Sequence, residues 1–263
     1  MPLSARKPLP PELRLIAGLK RGSTLAHGTP AVPTGWEGLD RALGGGLPGG
    51  RLTEIVAPRG GKASLLFSLA AVATAAGRNV GWLDPASALD VRGAEAAGVL
   101  LERVLWVRPA SVAQAFRAAD LVLGSEGFAV AVLDLVGAGR SRRGGRWRHG
   151  SGRGRPPGAS FPERPANDPA GRAAQGVLLD ASMWNRLARR AESCGVALVV
   201  CTDRPLAGAA AALGLDVRLA APDWECDGAR SPLTLGGAAV EVAVRHRKGS
   251  TAGFVGVFGC RSV

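Results

Sequence analysis

The chain has 263 residues, of which 46% are hydrophobic and 21% charged. That composition supports one packed domain with arms and excludes wholesale disorder. Thirty-three Lys and Arg against 21 Asp and Glu give a formal charge of +12, and no apolar run reaches the roughly 18 residues of a membrane helix.

Residues 1–33 read as an arm. Pro8, Pro10 and Pro11 precede a short helical stretch, Glu12 to Lys20, in which Leu13, Ile16, Ala17 and Lys20 share one weak apolar face. That face either folds back on the body or docks on another chain. The opening MPLSARKPLPPELR has no apolar core of a secretory signal, so a cytoplasmic protein is expected. The four cysteines (Cys194, Cys201, Cys226, Cys260) form no CxxC pair, which argues against structural zinc or a disulfide framework.

Leu39, Ala42 and Leu43 predict a helical turn, broken by a glycine run and Pro48-Gly49-Gly50. A strand follows at Arg51–Val56, then a Gly-rich turn. A helix from Lys62 to Ala76 carries its apolar stripe on Leu65, Leu66, Leu69, Val72, Ala73 and Ala76. Further strands are expected at Val80–Asp84, Val104–Val107 and Ala129–Asp134, with a helix from Val112 to Leu123 between the last two. Apolar strands separated by helices signal a mainly parallel α/β sheet.

Residues 137–176 break the rhythm. They are dense in Gly, Pro, Arg and Ser and read as a basic, disordered insertion. From Gly137 to Arg164 there are eight arginines and one acid, Glu163. This local charge, more than the overall balance, points to a phosphate-rich partner. Arg140, Arg142, Arg143, Arg146, Arg148, Arg153 and Arg155 can neutralise the phosphates of single-stranded DNA, with Trp147 to stack on a base. The bland alternative is an inert, solvated linker. Order resumes with a helix from Val177 to Ser193 and a buried strand, Val196–Cys201. Three short β segments, Asp216–Ala220, Ala239–Arg245 and Gly253–Phe258, suggest C-terminal hairpins.

A strand, a glycine turn, Gly-Lys and a helix are the parts of a phosphate-binding loop. Here the segment reads Ala57-Pro-Arg-Gly-Gly61-Lys62-Ala63-Ser64. Against GxxxxGK[ST] it is one residue short, its first Gly is Ala57, and its metal-ligand position is Ala63, whose methyl cannot hold Mg²⁺. Ser64 lies one residue further, about 100° round a helix. Asp134 ends a buried strand, either as the carboxylate of a nucleotide site or as a turn cap. The candidate nucleotide residues are therefore Gly60, Gly61, Lys62, Ser64 and Asp134. Weak ATP or magnesium binding stays open, turnover is not expected, and no catalytic residue or resident cofactor is assigned.

The approach to this segment carries a resemblance. Thr34-Gly35, Leu39-Asp40, Ala42-Leu43-Gly44, Gly46-Leu47-Pro48, Gly50-Arg51 and Glu54-Ile55 resemble the corresponding stretch of RecA recombinases. The register continues through Leu83-Asp84, Ala88-Leu89-Asp90, Asp134 and Val196–Val200. The resemblance implies a RecA-like, P-loop-type core over 34–136 and 177–263. It places the catalytic glutamate at Ala86 and the nucleotide-sensing glutamine near Thr202. It aligns Arg245 and Arg247 with lysines that reach nucleotide across a subunit interface. Leu13, Ile16 and Lys20 join them as interface candidates, since RecA assembles through an N-terminal helix.

With its active site eroded, the sequence is similar to ImuA, a group of RecA-related accessory factors. That resemblance implies a non-catalytic adaptor in damage-induced (SOS) mutagenic translesion synthesis. Its implied partners are RecA, an ImuB-like polymerase-related protein and an error-prone polymerase α subunit, in the nucleoid and not at a membrane. Two other readings stay open: an active DNA-dependent ATPase using Lys62, Ser64 and Asp134, and an interaction protein of the cell-division-inhibitor type.

Overall fold

A computed structural model describes residues 29–138, 181–225, 234–249 and 255–261. The predicted Glu12–Lys20 helix and nearly all of the basic insertion lie outside them. Eight strands form one sheet: β1 (Leu52–Arg59), β2 (Asn79–Leu83), β3 (Val104–Val107), β4 (Phe128–Asp134), β5 (Ala197–Thr202), β6 (Leu213–Glu225), β7 (Thr234–Arg247) and β8 (Val255–Arg261). Their order is β3-β2-β4-β5-β1-β6-β7-β8. The first six run parallel, and β7 and β8 add an antiparallel ribbon at one edge.

Among the described residues, five helices cover the two faces: α1 (Glu37–Leu43), α2 (Lys62–Ala75), α3 (Val91–Ala96), α4 (Val112–Leu123) and α5 (Ala181–Cys194). Leu39 and Leu43 of α1, Leu65, Leu66 and Leu69 of α2 and Ala94 of α3 share a core with Ile55, Val130 and Val199 of the sheet. On the opposite face, Phe116 of α4 packs edge-on against Trp184 of α5, over Leu52, Leu133 and Leu198. A sheet covered on both faces needs strands apolar on both faces, which explains the unbroken aliphatic runs of β4 and β5.

The glycine-rich approach is a packing device. Asp40 accepts hydrogen bonds from the Thr34 N–H at 2.8 Å and the Thr34 hydroxyl at 2.7 Å. Val32 and Leu47 exchange both backbone hydrogen bonds. Gly46, at φ 124°, lies so close that an added Cβ would fall 2.2 Å from the Val32 carbonyl oxygen. The motif thus clamps the incoming chain to the body.

Several boundaries differ from the sequence reading. β1 runs to Arg59, because the register shift between Val56 and Arg59 lets the chain pair again with β6 at Arg218. A bulge absorbs residues expected in a loop. The burial on α2 is broader than a stripe: Phe67, Ala70 and Thr74 are buried, whereas Val72 is half-buried and Ala76 exposed. α3 was not expected. The three C-terminal β segments are longer than predicted and pair as a meander.

Candidate functional site

The parallel strands bring a group of polar residues to their carboxyl ends, where open α/β sheets place ligands. β1 turns into α2 through Gly60 and Gly61, at φ 86° and 84°. These left-handed conformations are ones that glycine adopts without strain. Gly61 caps α2 and lies against β6: an added Cβ would come within 3.1 Å of the Arg218 carbonyl carbon and of Val240. Lys62 opens the helix, and its ammonium donates to Asp134 Oδ2. Asp134 ends β4, opposite Cys201 of β5. The cation therefore reaches across β5, which separates β1 from β4 in the sheet.

Lys62 and Asp134, 72 positions apart, thus meet as an ion pair whose side chains are 18% and 4% exposed. Burial raises the Asp134 pKa above its ordinary value. The Lys62 ammonium and the Val136 N–H pull it back down, and Asp84 pushes it further up. Cys201, buried under the pair, has its thiol pKa raised by burial and by Asp134. Asp134 Oδ1 accepts from the Val136 N–H at 3.2 Å, so the residue also caps the turn after its strand.

Asp84 is fully buried at the end of β2. Its Oδ2 accepts from the Leu89 N–H at 2.9 Å and from Trp106 Nε1 at 3.3 Å. Its Oδ1 has no hydrogen-bond partner, nor does the buried Thr202 hydroxyl at the end of β5. Each such group costs free energy unless something satisfies it. Ala86 is half-buried in the turn after β2, beside Ser87 at φ 52°. Asp90 caps α3, accepting from the Gly93 N–H at 3.1 Å. Ser64 is half-buried on α2, and Ala63 is exposed.

A second ionic group, on the α5 face, was not anticipated. Glu54 is 1% exposed in β1. Its Oε1 accepts from the Leu206 and Ala207 N–H groups at 2.6 and 2.8 Å. Its Oε2 accepts from Arg245 Nη2 at 2.5 Å. Arg245 Nη1 stands 3.5 Å from Asp216, an ionic contact rather than a hydrogen bond. Arg245 is thus bonded within its own chain, while Arg247 on the same strand is exposed. The signal in the sequence was a glutamate early in a strand that is otherwise mostly apolar.

The remaining candidates lie outside the described residues: Arg140, Arg142, Arg143, Arg146, Trp147, Arg148, Arg153 and Arg155 in the insertion, and Leu13, Ile16 and Lys20 in the arm. Among the described residues, no group of three or more His, Cys, Asp or Glu is placed to hold a metal ion. No helix among them is long and apolar enough to cross a membrane.

A parallel sheet covered on both faces, with a strand–glycine turn–helix unit at its carboxyl rim, defines a P-loop-type α/β domain. Residues 17–143, just under half of the chain, match the RecA N-terminal domain family. RecA of Marinobacter nauticus is 39% identical over 124 residues, which are 46% of this chain and 36% of that protein. RecA of Solidesulfovibrio magneticus is 41% identical over 111 residues, 41% of this chain and 31% of that protein. RecA of Pseudomonas fluorescens Pf0-1 is 37% identical over 124 residues, 46% of this chain and 35% of that protein. The chain spans about a third of the length of these curated relatives. Its domain is of the RecA-like superfamily.

Proposed function

We propose that this chain is a RecA-like accessory protein whose ancestral nucleotide site serves as scaffold and does no chemistry. The observation that carries this reading is the Lys62–Asp134 ion pair. In a phosphate loop the lysine reaches a terminal phosphate and the strand-end aspartate serves the metal; here each is the other's partner. The residues around them do not fit a magnesium nucleotide. The turn is reduced to two glycines, of which Gly61 is set against β6, and β1 continues as strand where amides would cradle phosphate. Ala63 offers no oxygen to a metal, and Ala86 no carboxylate to polarise water.

The role we assign is that of the ImuA group. The protein acts as a non-catalytic adaptor in SOS mutagenesis, joining RecA and an ImuB-like, polymerase-related protein to an error-prone α subunit during translesion synthesis. The arginine-rich insertion, with Trp147, adds non-specific contact with single-stranded DNA. The likeness to RecA supports a setting in DNA repair in the cytoplasm, at the nucleoid.

Nucleotide binding and hydrolysis, measured with and without single-stranded DNA, test the reading. The expected result is no turnover in either case. DNA-stimulated turnover abolished by Lys62→Ala would instead establish an ATPase of the RecA type. Deleting residues 140–155 should remove salt-sensitive retention on single-stranded DNA; unchanged retention would reduce the insertion to a linker.

A further inference from the structure

The sheet has two outer strands, β3 and β8, and the chain treats them differently. An unpaired strand edge invites pairing with another chain, and proteins blunt it with short strands, charge, proline or bulges. β3 has only four residues and is flanked by Arg103 and Arg108. The Arg103 guanidinium donates to the Gly77 carbonyl at 2.9 Å, and that of Arg108 lies 4.7 Å from the centre of the Trp106 ring. Leu105 is exposed on this strand, yet two copies meeting antiparallel along it would set Arg103 of each against the partner's Arg108.

β8 carries none of these devices. Val255–Arg261 reads VGVFGCR, seven residues with no proline and one charge, at the last position. Its pairing with β7 runs from Gly237–Arg261 to Ala243–Val255 without a bulge. On its outer side no strand pairs with it among the described residues. In register, Phe258 lies opposite Val240 and Gly256 opposite Val242, both in the core under α1 and α2, whereas Val257 lies opposite Glu241. The strand is thus fixed to the body through β7 and leaves its outer edge open. Gly256 and Gly259 lie within it, and glycines inside a strand are a mark of places where another backbone approaches closely.

We propose that β8 pairs antiparallel with β8 of a second copy, joining two sheets into one across a twofold axis at Phe258. That register uses the whole strand. It sets Phe258 against the partner's Phe258, an aromatic cross-strand pair, Val257 against the partner's Gly259, Gly256 against the partner's Cys260 and Val255 against the partner's Arg261. Each glycine therefore opposes a larger residue, and no like charges meet. The net charge of +12 does not forbid the contact, because +7 of it lies in residues 137–164 and only +5 in the rest of the chain. That segment is anchored at β4 and α5. β4 lies five strands from β8, roughly 24 Å at the usual strand spacing and about three Debye lengths at physiological salt. A nucleic acid would find one cation along this edge, and a charged peptide no row of counter-charges, so a strand as neutral as β8 itself is the best match. The proposal is independent of whether Lys62 can meet a nucleotide.

The test is sedimentation velocity of the full chain over a concentration series, at low and at high salt. The expected result is a monomer–dimer equilibrium with no larger species, at least as strong at high salt. Val257→Lys puts a guarding charge on the edge, in register with Glu241 and so away from the core. It should weaken dimerisation about tenfold or more while keeping the circular dichroism spectrum. Val257→Thr, uncharged and β-forming, should leave the dimer near wild type. If Val257→Lys does not fold, hydrogen exchange of wild-type residues 255–261 decides, and their amide protection should rise with protein concentration. A chain monomeric throughout, a dimer that Val257→Lys leaves intact, or exchange independent of concentration would overturn the proposal. So would oligomers that disappear at high salt or on deletion of residues 140–155, since those would form through the insertion.

Discussion

Two buried acidic sites, Glu54 within β1 and Asp134 with Asp84 at the carboxyl rim of the sheet, are treated very differently by this fold. Glu54 receives two backbone N–H groups and an arginine, so its carboxylate is saturated. The carboxyl rim of the sheet is left unfinished: Asp134 has a lysine, but Asp84 Oδ1 and the Thr202 hydroxyl have no partner. Both Glu54 oxygens are bonded, and the atom of this network without a hydrogen bond, Arg245 Nη1, still faces an acid, Asp216, at 3.5 Å. A rim with unused polar atoms is the mark of a place shaped for something other than stability. Glu54–Arg245 is therefore the more fully bonded of these two buried pairs, and the Lys62–Asp134 pair is, in the proposed function, a former chemical site now used in packing.

Breaking the saturated network should cost most. Glu54→Ala strands two N–H groups and a largely buried guanidinium, and should remove about 3–5 kcal/mol of stability. Chemical denaturation reads this directly, and a loss below about 1 kcal/mol would put the network on a par with a surface ion pair. Lys62→Ala leaves Asp134 buried without its cation, and should cost about 3 kcal/mol. The double variant Lys62→Met, Asp134→Leu should recover most of that loss, because well-packed apolar replacements of a buried pair are often neutral. A double variant as unstable as Lys62→Ala would mean that the polar atoms themselves hold the rim together.

Asp84→Asn sharpens the contrast. The amide oxygen can keep the bonds from Leu89 and Trp106 while the charge disappears, so the change should stay within about 1 kcal/mol of neutral, or stabilise. Glu54→Gln, by contrast, should be clearly destabilising, since it removes the arginine's counter-charge.

The smallest effect is in pH. Asp134 has its pKa raised in the folded chain. The native state therefore holds this proton more tightly than the unfolded chain does. Its contribution to stability falls as pH rises from the ordinary value of 3.8 through the folded value, and is constant above that. The stability difference between wild type and Asp134→Asn should shrink across that window in denaturation series. A difference that grows with pH would reverse the sign and make the pair net stabilising for the carboxylate.

Much of this was legible in the sequence, for identifiable reasons. The strands at Val104–Val107 and Ala129–Asp134 and the helix at Val112–Leu123 announce themselves by aliphatic runs and helical spacing, and the structure places them within a residue. α3 was missed because its six residues bury only Ala94, too little for a periodic signal. The extension of β1 was missed because Pro58 normally ends a strand, and only the bulge beside β6 accommodates it. Lys62 and Asp134 could each be picked by their neighbours. Their mutual bond could not, since it depends on β4 lying two places from β1 in the sheet. Glu54 and Arg245, 191 positions apart, meet only because β6 and β7 fold back beside β1.

The central claim is that Lys62 and Asp134 serve each other and not a nucleotide. The direct measurement is titration of the full-length chain with magnesium ATP, followed by calorimetry and by phosphate release in the presence of single-stranded DNA. The account predicts no saturable heat and no release, in wild type and Lys62→Ala alike. Saturable binding with steady phosphate release, both lost in Lys62→Ala, would contradict it.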